Sequence, residues 1–211
     1  MGRAHPLNVG RDKDTPAPLA RVELPVDTAC LAHYLIGKML VRQLPEGIVG
    51  GRIVETEGYV VGDAAGHAYR GPTRRNRSLF LAPGHAYVYL AYGVSYMLSV
   101  SSEMPGIGAG VLIRAMEPLQ GIPIVQVNRG VARLRDLARG PGRLAAALQI
   151  DLRLDGLDLC RKGPLWLARG DEAPGKIGRS IRIGISRYAD RPLRFYLRGS
   201  PFVSGPRSLR E

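Results

Sequence analysis

Cysteine, tryptophan and long apolar runs are scarce in this sequence. The two cysteines, Cys30 and Cys160, are too few for a disulfide framework and suit a reduced compartment. The four histidines, His5, His33, His67 and His85, are scattered and share no ligand spacing with the cysteines, so no metal site is expected. No apolar run approaches the roughly 18 residues of a membrane span. The opening stretch MGRAHPLNVGRDKDTPAP has no apolar core behind its charges, which predicts a flexible basic tail and a cytoplasmic protein. Three phenylalanines and one tryptophan stand beside nine tyrosines, so most rings carry a hydroxyl that must find a partner when buried.

Acidic residues and lysine are also in deficit. Thirty basic residues face eighteen acidic ones, a net charge of +12, and only Lys13, Lys38, Lys162 and Lys176 are lysines. So basic a chain favours a polyanionic partner, nucleic acid before membrane. A compositional arginine bias would give the same total, but the arginines cluster. Arg70, Arg74, Arg75 and Arg77 fall within RGPTRRNR, and six more lie between Arg179 and Arg198. At 211 residues, 45% hydrophobic, the chain reads as one folded domain with a real core.

LPVDTACLAHYLIGK opens on Pro/Asp and carries apolar residues at helical spacing, which predicts a helix. MLVRQLPEGIVGGRIVETEGYVV predicts two strands about a PEG turn, and residues 62–84, rich in Gly, Pro and Arg, predict loop. AYVYLAYGVSYMLSVSS alternates as two strands joined near Tyr92–Gly93, and four of the nine tyrosines sit in it within ten positions. GAGVLIRAMEPL predicts a further strand, and ARLRDLARGPGRLAAALQI helical segments broken at Gly140–Pro141. GPLWLARG, RSIRIGIS and PLRFYLRG read as late strands. Short connections between successive strands predict a mixed, largely antiparallel sheet with helices around it.

Two features carry chemistry. Alternation along RIVETEGYV puts Ile53, Glu55, Glu57 and Tyr59 on one face, where two carboxylates need an explanation. A solvated edge strand would account for them; so would a carboxylate base beside a ring that holds a flat substrate. Arg114 lies inside the apolar strand GVLIRAMEP and requires an anion when buried, with Glu57 the natural partner and Glu55 or Glu117 the alternatives. His67, in the glycine-containing loop GDAAGHAYRG, would by itself be read as a solvated residue.

The blocks GRIVETEGYVVGDAAGHAYRG, TRRNRSLFLAPGHAYVYLAYGVSYMLSVSS, GVLIRAMEPLQG and PLRFYLRGSPFVS resemble, in order, the alkyladenine (3-methyladenine) DNA glycosylases of the mammalian type. The likeness runs from about residue 18 to residue 204. It implies a mixed α/β (α+β) fold: a single domain with a curved, largely antiparallel β-sheet, surrounding helices and a protruding β-hairpin that enters DNA. It implies an enzyme that flips an alkylated or deaminated purine out of duplex DNA and hydrolyses its N-glycosidic bond, with no cofactor. On this resemblance Glu57 activates the water, Arg114 helps hold it, and the main chain at Ile183 supplies a further contact. Tyr59 and His67 form one wall of the base pocket and Tyr89 the other, while Tyr92 is the wedge that fills the emptied stack. Arg74, Arg75 and Arg77 are expected on the DNA backbone. Tyr87 and Tyr96 inherit no role and are expected to pack or meet phosphate.

Ser99 stands where the vertebrate enzymes of this type carry an asparagine that disfavours the 2-amino group of guanine. The expected organisation is a tail over 1–17, a glycosylase domain over 18–205 and a C-terminal tail over 206–211. The expected partner is duplex DNA holding damaged purines, met by a monomer without membrane or obligate protein partner, nucleoid-associated if the source is bacterial. Two other classes compete: a glycoside hydrolase using Glu55 and Glu57 as its carboxylate pair, and a non-catalytic module that stacks tyrosines on single strands. In the leading reading Glu55 is a bystander whose amide variant should matter much less than that of Glu57.

Overall fold

The structure, a computed structural model, describes residues 16–170 and 174–206, so the tails expected at 1–17 and 206–211 lie almost wholly outside the described residues. Eight strands form one curved antiparallel sheet: β1 (Met39–Leu44), β2 (Gly47–Tyr59), β3 (Ala86–Ala91), β4 (Ser95–Ser101), β5 (Gly110–Gln120), β6 (Leu165–Ala168), β7 (Ile177–Ser180) and β8 (Arg194–Leu197). The main path runs β3-β4-β5-β2-β1-β6. The 13-residue β2 is its axis. One edge of its first half pairs with β1 and the same edge of its second half pairs with β8, which in turn holds β7. β5 runs along the other edge of β2.

Three short helices cover the sheet. In α1 (Thr28–Tyr34) the Asp27 carboxylate accepts from the Cys30 amide at 2.8 Å, a cap of the kind worth about 1 kcal/mol. Leu31 and Ala32 of this helix are fully buried against the sheet. The second helix, α2 (Ile122–Arg129), has proline in its first turn and ends at Gly130 with φ 60°. These start and stop signals, present in GIPIVQVNRG, bound a helix that is not among those expected from the sequence. In α3 (Pro141–Ala147) the break expected at Gly140–Pro141 is the helix start, and the segment before it supplies only a 3-10 turn at Leu134–Asp136. A second difference concerns RSIRIGIS: β7 ends at Ser180, and residues 181–186 are irregular because Arg182 turns inward there.

The tyrosine-rich segment forms a hairpin, β3 against β4, with Leu90 facing Tyr96 and Ala91 facing Ser95. Its turn holds Tyr92 at φ 52° and Gly93 at φ 69°, and the Val94 amide donates to the Ala91 carbonyl at 3.0 Å. Three residues, Tyr92, Gly93 and Val94, join the paired Ala91 and Ser95, and the two consecutive positive φ angles are ones where glycine is at ease and a tyrosine is strained. The strained ring is 89% exposed.

Candidate active site

Strand alternation on β2 sends Glu55, Glu57 and Tyr59 to the same side, and β5 answers with a bulge. Ala115 pairs with Glu55 and Ile113 with Thr56, so Arg114 is the extra residue between them. A bulge re-aims the side chain it releases. Arg114 consequently reaches both carboxylates: Nε donates to Glu55 Oε1 at 3.0 Å, and Nη1 lies 3.2 Å from Glu57 Oε2. Glu117, the third sequence candidate, pairs instead with Arg52.

The two glutamates are fully buried but differently served. Glu55 accepts from Arg114, from Arg194 Nε at 2.7 Å and from the Ser204 amide at 2.6 Å. Burial alone would raise its carboxyl, but the two guanidiniums and that amide outweigh it and hold the group below its ordinary value. Glu57 has one guanidinium, the Tyr59 hydroxyl at 3.1 Å and the Ile183 amide, which donates to Oε1 at 2.7 Å. For Glu57 burial prevails, and its carboxyl is raised. Burial also raises the Tyr59 hydroxyl, so it stays protonated and donates to the carboxylate.

Over this pair opens a cavity of about 440 Å³. Tyr59, His67, Tyr89, Ser99, Arg114 and Ile183 line it, and Glu57 lies just behind Tyr59, Arg114 and Ile183. Tyr92 and Arg75 reach its rim. The His67 ring meets Tyr89, expected on the opposite wall, edge-on at 4.5 Å, and its Nδ1 is 2.9 Å from the Tyr87 hydroxyl. Tyr87 itself stacks on Tyr89 at 5.2 Å and is buried, a packing role, with its hydroxyl pushed up to about 12 by burial. Loss of water from the His67 imidazole, with Arg75 nearby, holds its pKa below the ordinary value and keeps the ring neutral.

Arg74, Arg75 and Arg77 are all exposed, but only Arg75 lines the cavity; its Nη2 donates to the Leu90 carbonyl at 3.3 Å and ties the arginine loop to the hairpin. Three supporting residues escaped the sequence reading. Buried Asn76 closes the loop, its Oδ1 accepting from the Thr73 amide at 2.6 Å and its Nδ2 donating to the carbonyls of His67 and Gly71. Asp63 and Arg182 form a fully buried ion pair. Arg182 also donates to the Gly58 carbonyl at 3.0 Å and lies 4.7 Å from the centre of the Tyr59 ring. An arginine between two isoleucines in IRIGIS is the sequence signal for that pair.

Among the described residues no helix is long and apolar enough to cross a membrane, and no group of three or more His, Cys, Asp and Glu gathers as metal ligands. Glu55 cannot serve as the second carboxylate of a glycoside hydrolase, because its oxygens are enclosed by Arg114, Arg194 and Ser204. A buried carboxylate held among Arg114, Tyr59 and Ile183 behind an aromatic-lined cavity is the kind of arrangement found in enzyme sites. A sequence model of methylpurine-DNA glycosylase (MPG) matches residues 23–201. A protein of Mesorhizobium japonicum, assigned the name 3-methyladenine DNA glycosylase, is 74% identical over the whole of both chains. One from Paraburkholderia phytofirmans with the same assigned name is 53% identical over 91% of this chain and 90% of its own, and one from Rubrobacter xylanophilus 47% identical over 83% and 91%. The chain belongs to the methylpurine-DNA glycosylase family.

Proposed function

We propose that this protein is a monofunctional base-excision enzyme that takes alkylated or deaminated purines (3-methyladenine, 7-methylguanine and hypoxanthine types) out of duplex DNA and hydrolyses the N-glycosidic bond. The observation that carries the reading is the setting of Glu57. A carboxylate offers about four acceptor sites, and three donors reach this one: Arg114, Tyr59 and the Ile183 amide. The remaining site would take the proton of a water, and the three residues that hold the carboxylate all line the cavity. That water's oxygen attacks C1′ as the base leaves with the electron pair of the C1′–N bond. Arg114 and the main chain at Ile183 orient the water, and the raised Glu57 carboxyl makes it the stronger base.

Binding follows from the same surfaces. The flipped base would stack between Tyr59 and the His67–Tyr89 pair, recovering about 1–3 kcal/mol per contact. A cationic alkylpurine gains further from the ring faces. Arg74, Arg75 and Arg77 would hold phosphates. No lysine among the described residues lines the cavity, which supports water over an amine nucleophile and excision without strand cleavage. The test is incubation with duplex DNA containing hypoxanthine or a methylated purine. Strand breaks should form only after alkali; breaks without alkali, or no abasic sites at all, refute the reading.

Two expectations follow for the walls of the site. Tyr92→Ala keeps the strained turn but removes the wedge, so lesion-duplex binding and excision should fall by roughly 5- to 100-fold, the range of one lost stacking contact. The loss should shrink when the lesion lies opposite a gap, where unstacking costs less. An equal loss on every substrate would assign Tyr92 to hairpin stability alone. Ser99 is buried on β4 opposite Leu112 and lines the cavity. Its short side chain leaves room for a 2-amino group. Ser99→Asn should lower excision of N-alkylated guanine relative to N-alkylated adenine by about tenfold under single-turnover conditions, as one unpaired polar or steric contact would. An unchanged ratio removes Ser99 from the specificity determinants.

A further inference from the structure

The sequence reading makes Glu55 a bystander, and the structure gives it three buried partners. Its Oε1 accepts from Arg114 Nε at 3.0 Å and Arg194 Nε at 2.7 Å, and its Oε2 from the Ser204 amide at 2.6 Å. Arg194 is itself held by the Ser180 hydroxyl at 2.8 Å and the Ser204 carbonyl at 3.1 Å, and Arg114 Nη2 lies 3.4 Å from Ser204 Oγ. Three separate segments, β5, β8 and the stretch after β8, thus converge on one carboxylate.

We propose that Glu55 is a positioning residue for the reaction, gripping Arg114 through Nε and balancing its charge with Arg194 so that Arg114 Nη1 is presented to Glu57. The proposal rests on Glu57 being the base. An arginine on a bulge has no ladder partner to fix its side chain, and the grip on Nε sets the plane of the fork. The charge count is equally specific: two carboxylates and two guanidiniums share this buried cluster. Without Glu55, both guanidiniums would act on Glu57 alone.

The groups that face Glu57 are Arg114 and Glu55, with the Tyr59 and Tyr89 hydroxyls and the Ile183 amide. Of these, Glu55 raises the Glu57 carboxyl by repulsion. Glu55→Gln deletes that repulsion and frees positive charge, so Glu57 should ionise at lower pH and be a poorer base. Arg194→Gln deletes a cation and should do the opposite.

The test is the single-turnover rate of methylpurine release from duplex DNA between about pH 4.5 and 8, spanning the carboxylate range and above, on variants whose melting curves show a folded protein. Glu55→Gln should lower the plateau by tenfold or more and move the acid limb to lower pH. Arg194→Gln should move that limb to higher pH, and it decides the matter where Glu55→Gln does not fold. A limb that stays in place in a folded variant, or a Glu55→Gln enzyme at full rate, overturns the proposal. Glu57→Gln run in parallel separates the two readings: if it still releases base, the base assignment fails, whereas an inactive Glu57→Gln with an unmoved Glu55→Gln limb removes only Glu55.

Discussion

Glu57→Gln is expected to abolish base release while leaving affinity for lesion duplex nearly intact. The amide keeps the volume of the side chain and still offers one oxygen to the Ile183 amide or Arg114, the two donors at 2.7 and 3.2 Å. It cannot take a proton from water. Loss of a general base costs about 10²–10⁴-fold, so a single-turnover rate above roughly a tenth of the parent rules Glu57 out as the base. Affinity should not fall, because removing a negative charge near phosphates favours DNA. The pH dependence has a defined sign: the base works ionised, and burial raises its carboxyl. The parent rate should therefore decline with acid through a pKa above the ordinary carboxylate value, and this limb should vanish with the Glu57→Gln variant.

The second large effect is expected away from the chemistry. Asp63→Asn should destabilise the fold by about 3–5 kcal/mol, the usual cost of leaving one charge of a buried pair alone. Arg182 and Asp63 have no exposed side-chain surface, and without Asp63 the partners left to Arg182 are neutral, the Gly58 and Tyr188 carbonyls and the Tyr59 ring. For a chain of this size the loss corresponds to a melting temperature lower by on the order of 10 °C. Excision should fall as well. Arg182 backs the Tyr59 ring at 4.7 Å and precedes Ile183, whose amide holds Glu57. The double variant Asp63→Asn/Arg182→Met removes both charges and should regain much of the stability, since an apolar replacement of a buried pair is often neutral. Additive losses in the double variant would show that the two side chains act independently.

What could be read before the fold was known divides along physical lines. Alternation revealed β2 and the hairpin, because a period of two needs only neighbouring residues. The buried anion demanded by Arg114 was also foreseen, since an arginine in an apolar strand has few ways to be satisfied. The sequence favours Glu57 over Glu55 and Glu117 as the partner; the bulge at Arg114 gives that arginine both Glu55 and Glu57. A bulge is a property of two strands in register, invisible in either alone. The same limit hid Asp63–Arg182, partners 119 residues apart, and Glu55–Arg194, 139 apart. Helix α2 is hard to read because its apolar residues besides Pro123 are all β-branched, Ile122, Ile124, Val125 and Val127, types that favour strands. The contact of His67 with Tyr89 is hidden as those distant ion pairs are, since the loop carrying His67 is closed by Asn76, a partner that no spacing encodes.

The central claim, that Glu57 activates a water beneath a base seated in this cavity, is tested most directly by a crystal structure of the Glu57→Gln variant with a lesion duplex. The damaged purine should lie between Tyr59 and the His67–Tyr89 rings, with Tyr92 in the vacated stack. An ordered water should sit within about 3 Å, hydrogen-bond reach, of the residue 57 side chain and of Arg114, on the side of the sugar opposite the departing base. A lesion that remains stacked in the duplex, or a base in the cavity with no water between residue 57 and C1′, would contradict the account.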